Sequence, residues 1–194
     1  MLKSDFDPSR QTELRNYGGR VAIGHATKLS ALPPERMKAA TAQLATSGVA
    51  VTVLPATDLY LMGREATHNV PRGVTLAHKL ADDGVLCSVA TNNVLNPFTP
   101  FGDASLLRMA NFYANVAHAS VSDFDTCLDL VTELPARLMN LSDYGIKVGN
   151  PADLVVLDTQ DSRFAIAELP DIVMGFKAGR QTFERQRPTL FGPG

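Results

Sequence analysis

A chain of 194 residues that is 45% hydrophobic and 20% charged has room for one globular core and does not read as a disordered polymer. Its net charge is −2, with 18 basic and 20 acidic residues interspersed, so no basic stripe marks it for nucleic acid or an anionic membrane surface. No apolar run approaches the ~20 residues that span a bilayer, and the polar opening segment lacks a signal-peptide core, which makes a cytoplasmic protein the expectation.

The opening residues carry Asp7-Pro8 and Gly18-Gly19, the marks of a frayed helix running into a turn. Residues 20–25, RVAIGH, read as a short buried strand ending in a polar residue. Pro33 and Pro34 suit the first turn of a helix over 35–47, and Gly48 suits the position just past its end. Residues 49–54 form a β-branched run closed by Pro55, the pattern of a strand covered on both faces. A long loop is expected next, then a helix over 75–81 stopped by Asp82-Asp83-Gly84, then a third strand over 85–90. An Asn- and Pro-rich loop spans 91–103, and two helices are expected over 105–119 and 123–139, the first capped by Asp103. The tail changes character: turn signals at 143–151 precede strands over 152–158 and 171–178, and Gly179-Arg180 turns into Gln181-Thr182-Phe183.

Strand, loop and helix therefore recur three times, the signature of βα units on a parallel sheet. Each long loop follows the carboxyl end of a strand, where a (β/α)8 barrel places its active site. Three units cannot close a barrel, and open sheet edges invite pairing. Cys87 and Cys127 lie in apolar runs without metal-ligand spacing, and buried free thiols are expected. Gly18-Gly19 matches neither nucleotide-binding fingerprint, and Asp82-Asp83 reads as a helix end.

The segments VAIGHA (21–26), LPATDLYLMGR (54–64), PRGV (71–74), TNNVLNPFTPFG (91–102), DYGI (143–146) and GNPADLVVL (149–157) occur in the order found in one enzyme group. Together they resemble the cytosine deaminase branch of the metal-dependent amidohydrolases, from barrel strand six to the return into a small β domain. The resemblance covers residues 20–183. It implies an α/β fold: the C-terminal three βα units or so of a (β/α)8 TIM-type barrel over 1–145, with strands of a small β-sandwich domain over 146–194. It also implies hydrolysis of a non-peptide C–N bond in a small cyclic amine or amidine. In the family a divalent cation, zinc or iron, is held by a His-x-His pair, a further His and an Asp, and it lowers the pKa of a bound water.

Two departures from the family pattern stand out. The four histidines are His25, His68, His78 and His118, so no His-x-His pair exists and the strand-five His has no counterpart. At the strand-eight position the family pattern calls for Asp and this chain has Asn92, which cannot take a proton. The expectation is a truncated C-terminal portion, inactive or nearly so alone and holding little bound metal, with His25 at most a weak ligand. Alternatives are a non-catalytic interaction module, or half of a split enzyme whose partner supplies the missing barrel half; a homo-oligomer pairing its open edges is also expected.

By resemblance His25 and Asn92 are the catalytic candidates, and Asp58, Arg64 and Asn93 the substrate-binding candidates. Each has a plainer reading. His25 also fits a satisfied core histidine, Asn92 and Asn93 fit turn formers, and Asp58, Tyr60 and Arg64 fit residues that fix the long loop. His68 reads equally as a solvated loop residue or one facing substrate, whereas His78 and His118 read as structural residues on helices. Phe98, Phe101, Phe112 and Tyr113 are expected to pack under loops and between helices.

Overall fold

A computed structural model describes residues 7–192; the first six residues of the polar opening segment lie outside the described residues. Asp7 accepts hydrogen bonds from the amides of Ser9 and Arg10 and so caps a short helix, α1 (Pro8–Leu14), with Pro8 in its first turn. Strand β1 (Val21–Gly24) follows, then a 3-10 turn (Thr27–Ala31) and α2 (Pro34–Ser47). Gly48 ends α2 with φ +65°, and a Cβ there would lie 3.0 Å from both Gly18 Cα and Gly19 N. Only glycine meets both the left-handed turn and that backbone approach.

Strand β2 (Val49–Val53) lies between β1 and β3 (Cys87–Val89), and both pairings are parallel. Register places Gly24 opposite Thr52, and Thr52 opposite Ser88. Alternation then sorts the side chains. Val21, Ile23, Val49, Val51, Val53, Cys87 and Val89 share one cluster with the helices, whereas Ala22, Gly24, Ala50, Thr52 and Ser88 stay out of it. Each buried valine of β2 contributes about 1.5–3 kcal/mol by leaving water, and this anchors the central strand.

Three helical segments differ from the reading of the sequence. The segment after β2 is not all loop: Pro55 starts α3 (Pro55–Leu61) instead of merely ending a strand. A proline in a first turn loses nothing, because its missing N–H has no intrahelical partner there anyway. The second difference lies over 123–139. After a 3-10 turn (Val121–Asp123) come α6 (Phe124–Asp129) and α7 (Glu133–Leu138), broken at Thr132. Pro135 accounts for the break, since its ring would clash with the carbonyl of Val131 in a continuous helix. Third, a 3-10 turn (Ser162–Phe164) and α8 (Ala165–Glu168) interrupt what reads as tail.

The remaining helices are α4 (Ala77–Asp82) and α5 (Leu106–Val116). Ser105, not Asp103, caps α5 by accepting from the amide of Arg108, while Asp103 accepts from the amide of Ser105. His118 falls past the end of α5 in the left-handed region, not on the helix. Inside the core the Tyr113 hydroxyl meets both the backbone amide of His78 (3.1 Å) and its Nδ1 (2.6 Å). Burial pushes the pKa of Tyr113 up and lowers that of His78. Cys87 and Cys127 are free and buried, their pKa values pushed up by desolvation to about 12 and about 11.

Strands β4 (Leu154–Leu157), β5 (Ile172–Lys177) and β6 (Arg180–Glu184) form a separate antiparallel sheet in that order. Gly175 of β5 sits under the ring of Phe183, where a Cβ would collide. Among the described residues no helix is long and apolar enough to cross a membrane.

Candidate functional site at the strand ends

The parallel sheet brings the carboxyl ends of β1, β2 and β3 to one rim, and the residues just past them define the candidate site. His25 follows β1 with φ +66°, and Ala26 follows with φ +54°. Two consecutive non-glycine residues in the left-handed region cost about 1–3 kcal/mol each. They are held by hydrogen bonds on both sides: the His25 amide donates to Thr52 O (2.9 Å), and Thr75 Oγ1 donates to Ala26 O (2.8 Å). This turn stands the imidazole at the rim, with its side chain 45% exposed.

Asp58 comes from the first turn of α3 and is 4% exposed. Its Oδ1 lies 2.5 Å from His25 Nδ1, and its buried Oδ2 has no hydrogen-bond partner among the described residues. Leaving a buried acceptor unpaired costs about 1–3 kcal/mol. Asn92 follows β3 with φ +60°, a conformation its short amide tolerates. Its Nδ2 lies 3.5 Å from His25 Nε2, at the outer limit of a hydrogen bond. His25, Asp58 and Asn92 are thus brought together from three segments, two turns and the first turn of α3, each following a different strand.

The other two candidates stand apart. Asn93 Nδ2 donates to Thr57 Oγ1 (3.4 Å), and its Oδ1 accepts from Asn96 Nδ2 (2.9 Å). Thr57 Oγ1 in turn meets Thr99 Oγ1 at 2.7 Å, so this network ties the loop after β3 to α3. Arg64 is exposed, with its guanidinium 5.2 Å from the centre of the Tyr60 ring. His68 is exposed and His78 is buried. Phe98 and Phe101 are exposed, at 60% and 68%, contrary to the expectation that they pack beneath loops.

A cavity of about 800 Å³ opens beside this rim, lined by Leu59, Tyr60, Asn93, Phe101, Met109 and Phe112 among others, and not by His25, Asp58 or Asn92. Its charged lining, Arg108 and Asp103, is consumed in an exposed 2.9 Å ion pair. The half-exposed His25 imidazole, backed by the buried Asp58 carboxylate, thus stands at the rim outside this cavity's lining.

Thr52, Thr57, Thr75 and Ser88 support the rim and escaped the reading of the sequence. Thr52 and Ser88 bond side chain to side chain at 2.9 Å across β2 and β3. Their signal was a hydroxyl inside an otherwise apolar strand run, VAVTVL and LCSVA.

A zinc site needs three or four nitrogen, oxygen or sulfur donors around one point. Among the described residues no group of three or more His, Cys, Asp or Glu could hold a metal ion. Among the described rim residues Asp58 Oδ1 occupies Nδ1 of His25 and Asp58 Oδ2 is buried, which leaves Nε2 and an uncharged amide as the exposed donors. These residues do not by themselves fit a resident divalent metal.

Comparison with known proteins gives the family and the fold. Residues 9–183 match the family model described as "Amidohydrolase family". A pterin deaminase of Rhizobium rhizogenes strain K84 is 36% identical over 151 residues, covering 76% of this chain and 34% of that protein. The structure of 5-methylcytosine deaminase from Klebsiella pneumoniae liganded with 5-fluorocytosine superposes with a TM-score of 0.88 at 24% identity, over 95% of this chain and 45% of that one. An adenosine deaminase from Xanthomonas campestris with bound zinc superposes with a TM-score of 0.66 at 21% identity, over 89% of this chain and 39% of that one. The chain thus spans about a third of the curated relative's length and less than half of either structural relative.

Proposed function

This chain belongs to the amidohydrolase family, and from that premise we propose that its rim is the substrate-facing side of a hydrolase acting on a non-peptide C–N bond of a small cyclic amidine. The products would be a ring carbonyl and ammonia or an amine. The observation that carries this reading is the His25–Asp58 pair at a strand end, with Asn92 beside the free ring nitrogen. The deaminases of pterin and 5-methylcytosine among the relatives support the ring class.

In this reading residues 1–145 correspond to part of a (β/α)8 barrel and 146–194 to strands of a small β-sandwich domain. Nε2 of His25 accepts a hydrogen bond or a proton from the reacting group, and the resulting imidazolium stays paired with the Asp58 carboxylate. Asn92 offers a donor and an acceptor to the ring edge but cannot carry the proton. Arg64 and Asn93 would meet the substrate only from the margin, since one lies over Tyr60 and the other is tied to Thr57 and Asn96. Activation of the attacking water falls to groups beyond those described at the rim, because their donors do not complete a metal cage.

Titration calorimetry of the full chain against cytosine, pterin and an amino-substituted triazine tests this directly, with ammonia release followed in parallel. The expected result is one-to-one binding of at least one ring, abolished by His25→Ala, without turnover by the chain alone. Failure of all three rings to bind would overturn the reading, and ammonia release by the chain with added zinc would overturn the division of labour.

A further inference from the structure

We infer that Asp58 is the positioning residue of the site, locking His25 as the Nδ1–H tautomer so that Nε2 faces the rim as an acceptor. The inference deepens the proposed function and rests on it for its purpose. Its geometry stands alone.

Three observations converge. The Asp58 side chain is 3% exposed, so it meets the imidazole and not a ligand arriving from solvent. An ionised carboxylate only accepts hydrogen bonds, so a 2.5 Å contact from Oδ1 to Nδ1 requires that Nδ1 carry the proton. On the far side of the ring Asn92 Nδ2, a donor, lies 3.5 Å from Nε2, where only a lone pair can receive it. The carboxylate selects the tautomer, and the longer Asn92 contact is compatible with it.

A neutral imidazole with Nδ1 protonated presents a base to the rim, while the opposite tautomer presents an N–H donor. The choice decides which edge of a ring amidine His25 can read: one bearing N–H or a water proton, not a bare ring nitrogen. Asp58 thereby sets the polarity of the site without touching the substrate.

Long-range proton–nitrogen correlation spectra of the 15N-labelled full chain, at a pH that leaves imidazoles neutral, test the inference without any ligand. The expected wild-type pattern for His25 is a pyrrole-type Nδ1 and a pyridine-type Nε2. Asp58→Ala should move the ring to a mixture dominated by Nε2–H, the form favoured by free histidine. Asp58→Asn keeps an acceptor oxygen of the same shape and should retain the wild-type pattern, which also controls for misfolding of the alanine variant. With cytosine or pterin as probe, Asp58→Ala should weaken binding roughly tenfold or more, and Asp58→Asn much less. A wild-type His25 in the Nε2–H form, or a tautomer unmoved by Asp58→Ala in a folded chain, would overturn the inference. Failure of both probes to bind while the tautomer behaves as expected would refute the substrate class and leave the positioning role intact.

Discussion

Replacing Tyr113 by Phe removes one oxygen and tests how the helices behind the rim are held. That hydroxyl is the partner of two buried groups, the amide of His78 near the start of α4 and Nδ1 of the His78 ring. The amide is one of the helix's unpartnered N–H groups, so the hydroxyl acts as a cap supplied from α5. An unsatisfied buried group costs about 1–3 kcal/mol, so two of them amount to about 2–4 kcal/mol after partial relaxation. For a chain of this size each kcal/mol lowers the melting temperature by roughly 2–4 °C, and the expected fall is roughly 5–15 °C. Urea unfolding followed by circular dichroism would measure the change, with an unchanged slope expected if only the native contacts are lost. Adding His78→Leu should recover the share due to the imidazole but not that due to the backbone amide. A single variant within about 0.5 kcal/mol of wild type would refute the capping argument.

Other expectations follow from the same core. Burial favours neutral His78, its pKa lowered first by desolvation and then by Lys79, against opposing contributions from Asp123 and Asp82. The unfolded chain takes up a proton near pH 6.5 where the native chain resists it, so stability should fall as pH drops below about 6.5; His78→Gln should flatten that slope in pH-dependent urea midpoints. Cys87 and Cys127, buried with raised pKa values, should ignore a disulfide reagent in the native chain and both react after unfolding. Gly48→Ala places a Cβ 3.0 Å from backbone atoms at φ +65° and should destabilise by about 1–3 kcal/mol in the same unfolding assay. A neutral outcome there would mean that the Gly18–Gly48 contact yields freely.

Strands 49–53 and 87–89 were legible because an apolar run with β-branched residues, closed by a breaker, has few other uses. The start of α2 and its left-handed end were legible from Pro34 and Gly48. What failed was the reading of proline: Pro55, taken to close a strand, starts a helix, and Pro135, passed over within the helix expected over 123–139, breaks it. The site was half legible. His25 and Asn92 could be marked from strand ends and family resemblance, but their partnership with Asp58 could not. Thirty-three residues separate His25 from Asp58, with no periodic spacing between them. Only the parallel pairing of β1 with β2 carries the first turn of α3 beneath the imidazole. Asp58 was marked by resemblance as a substrate-binding candidate, and its buried carboxylate lies against His25, a contact that the sequence did not signal.

A crystal structure of the full chain soaked with cytosine or pterin would test the assignment of chemistry to the rim most directly. The account predicts the ring edge within hydrogen-bond reach of His25 Nε2 and Asn92, with Asp58 still on Nδ1. A ring seated instead against Phe101 and Phe112 in the neighbouring cavity, with His25 bare, would contradict it.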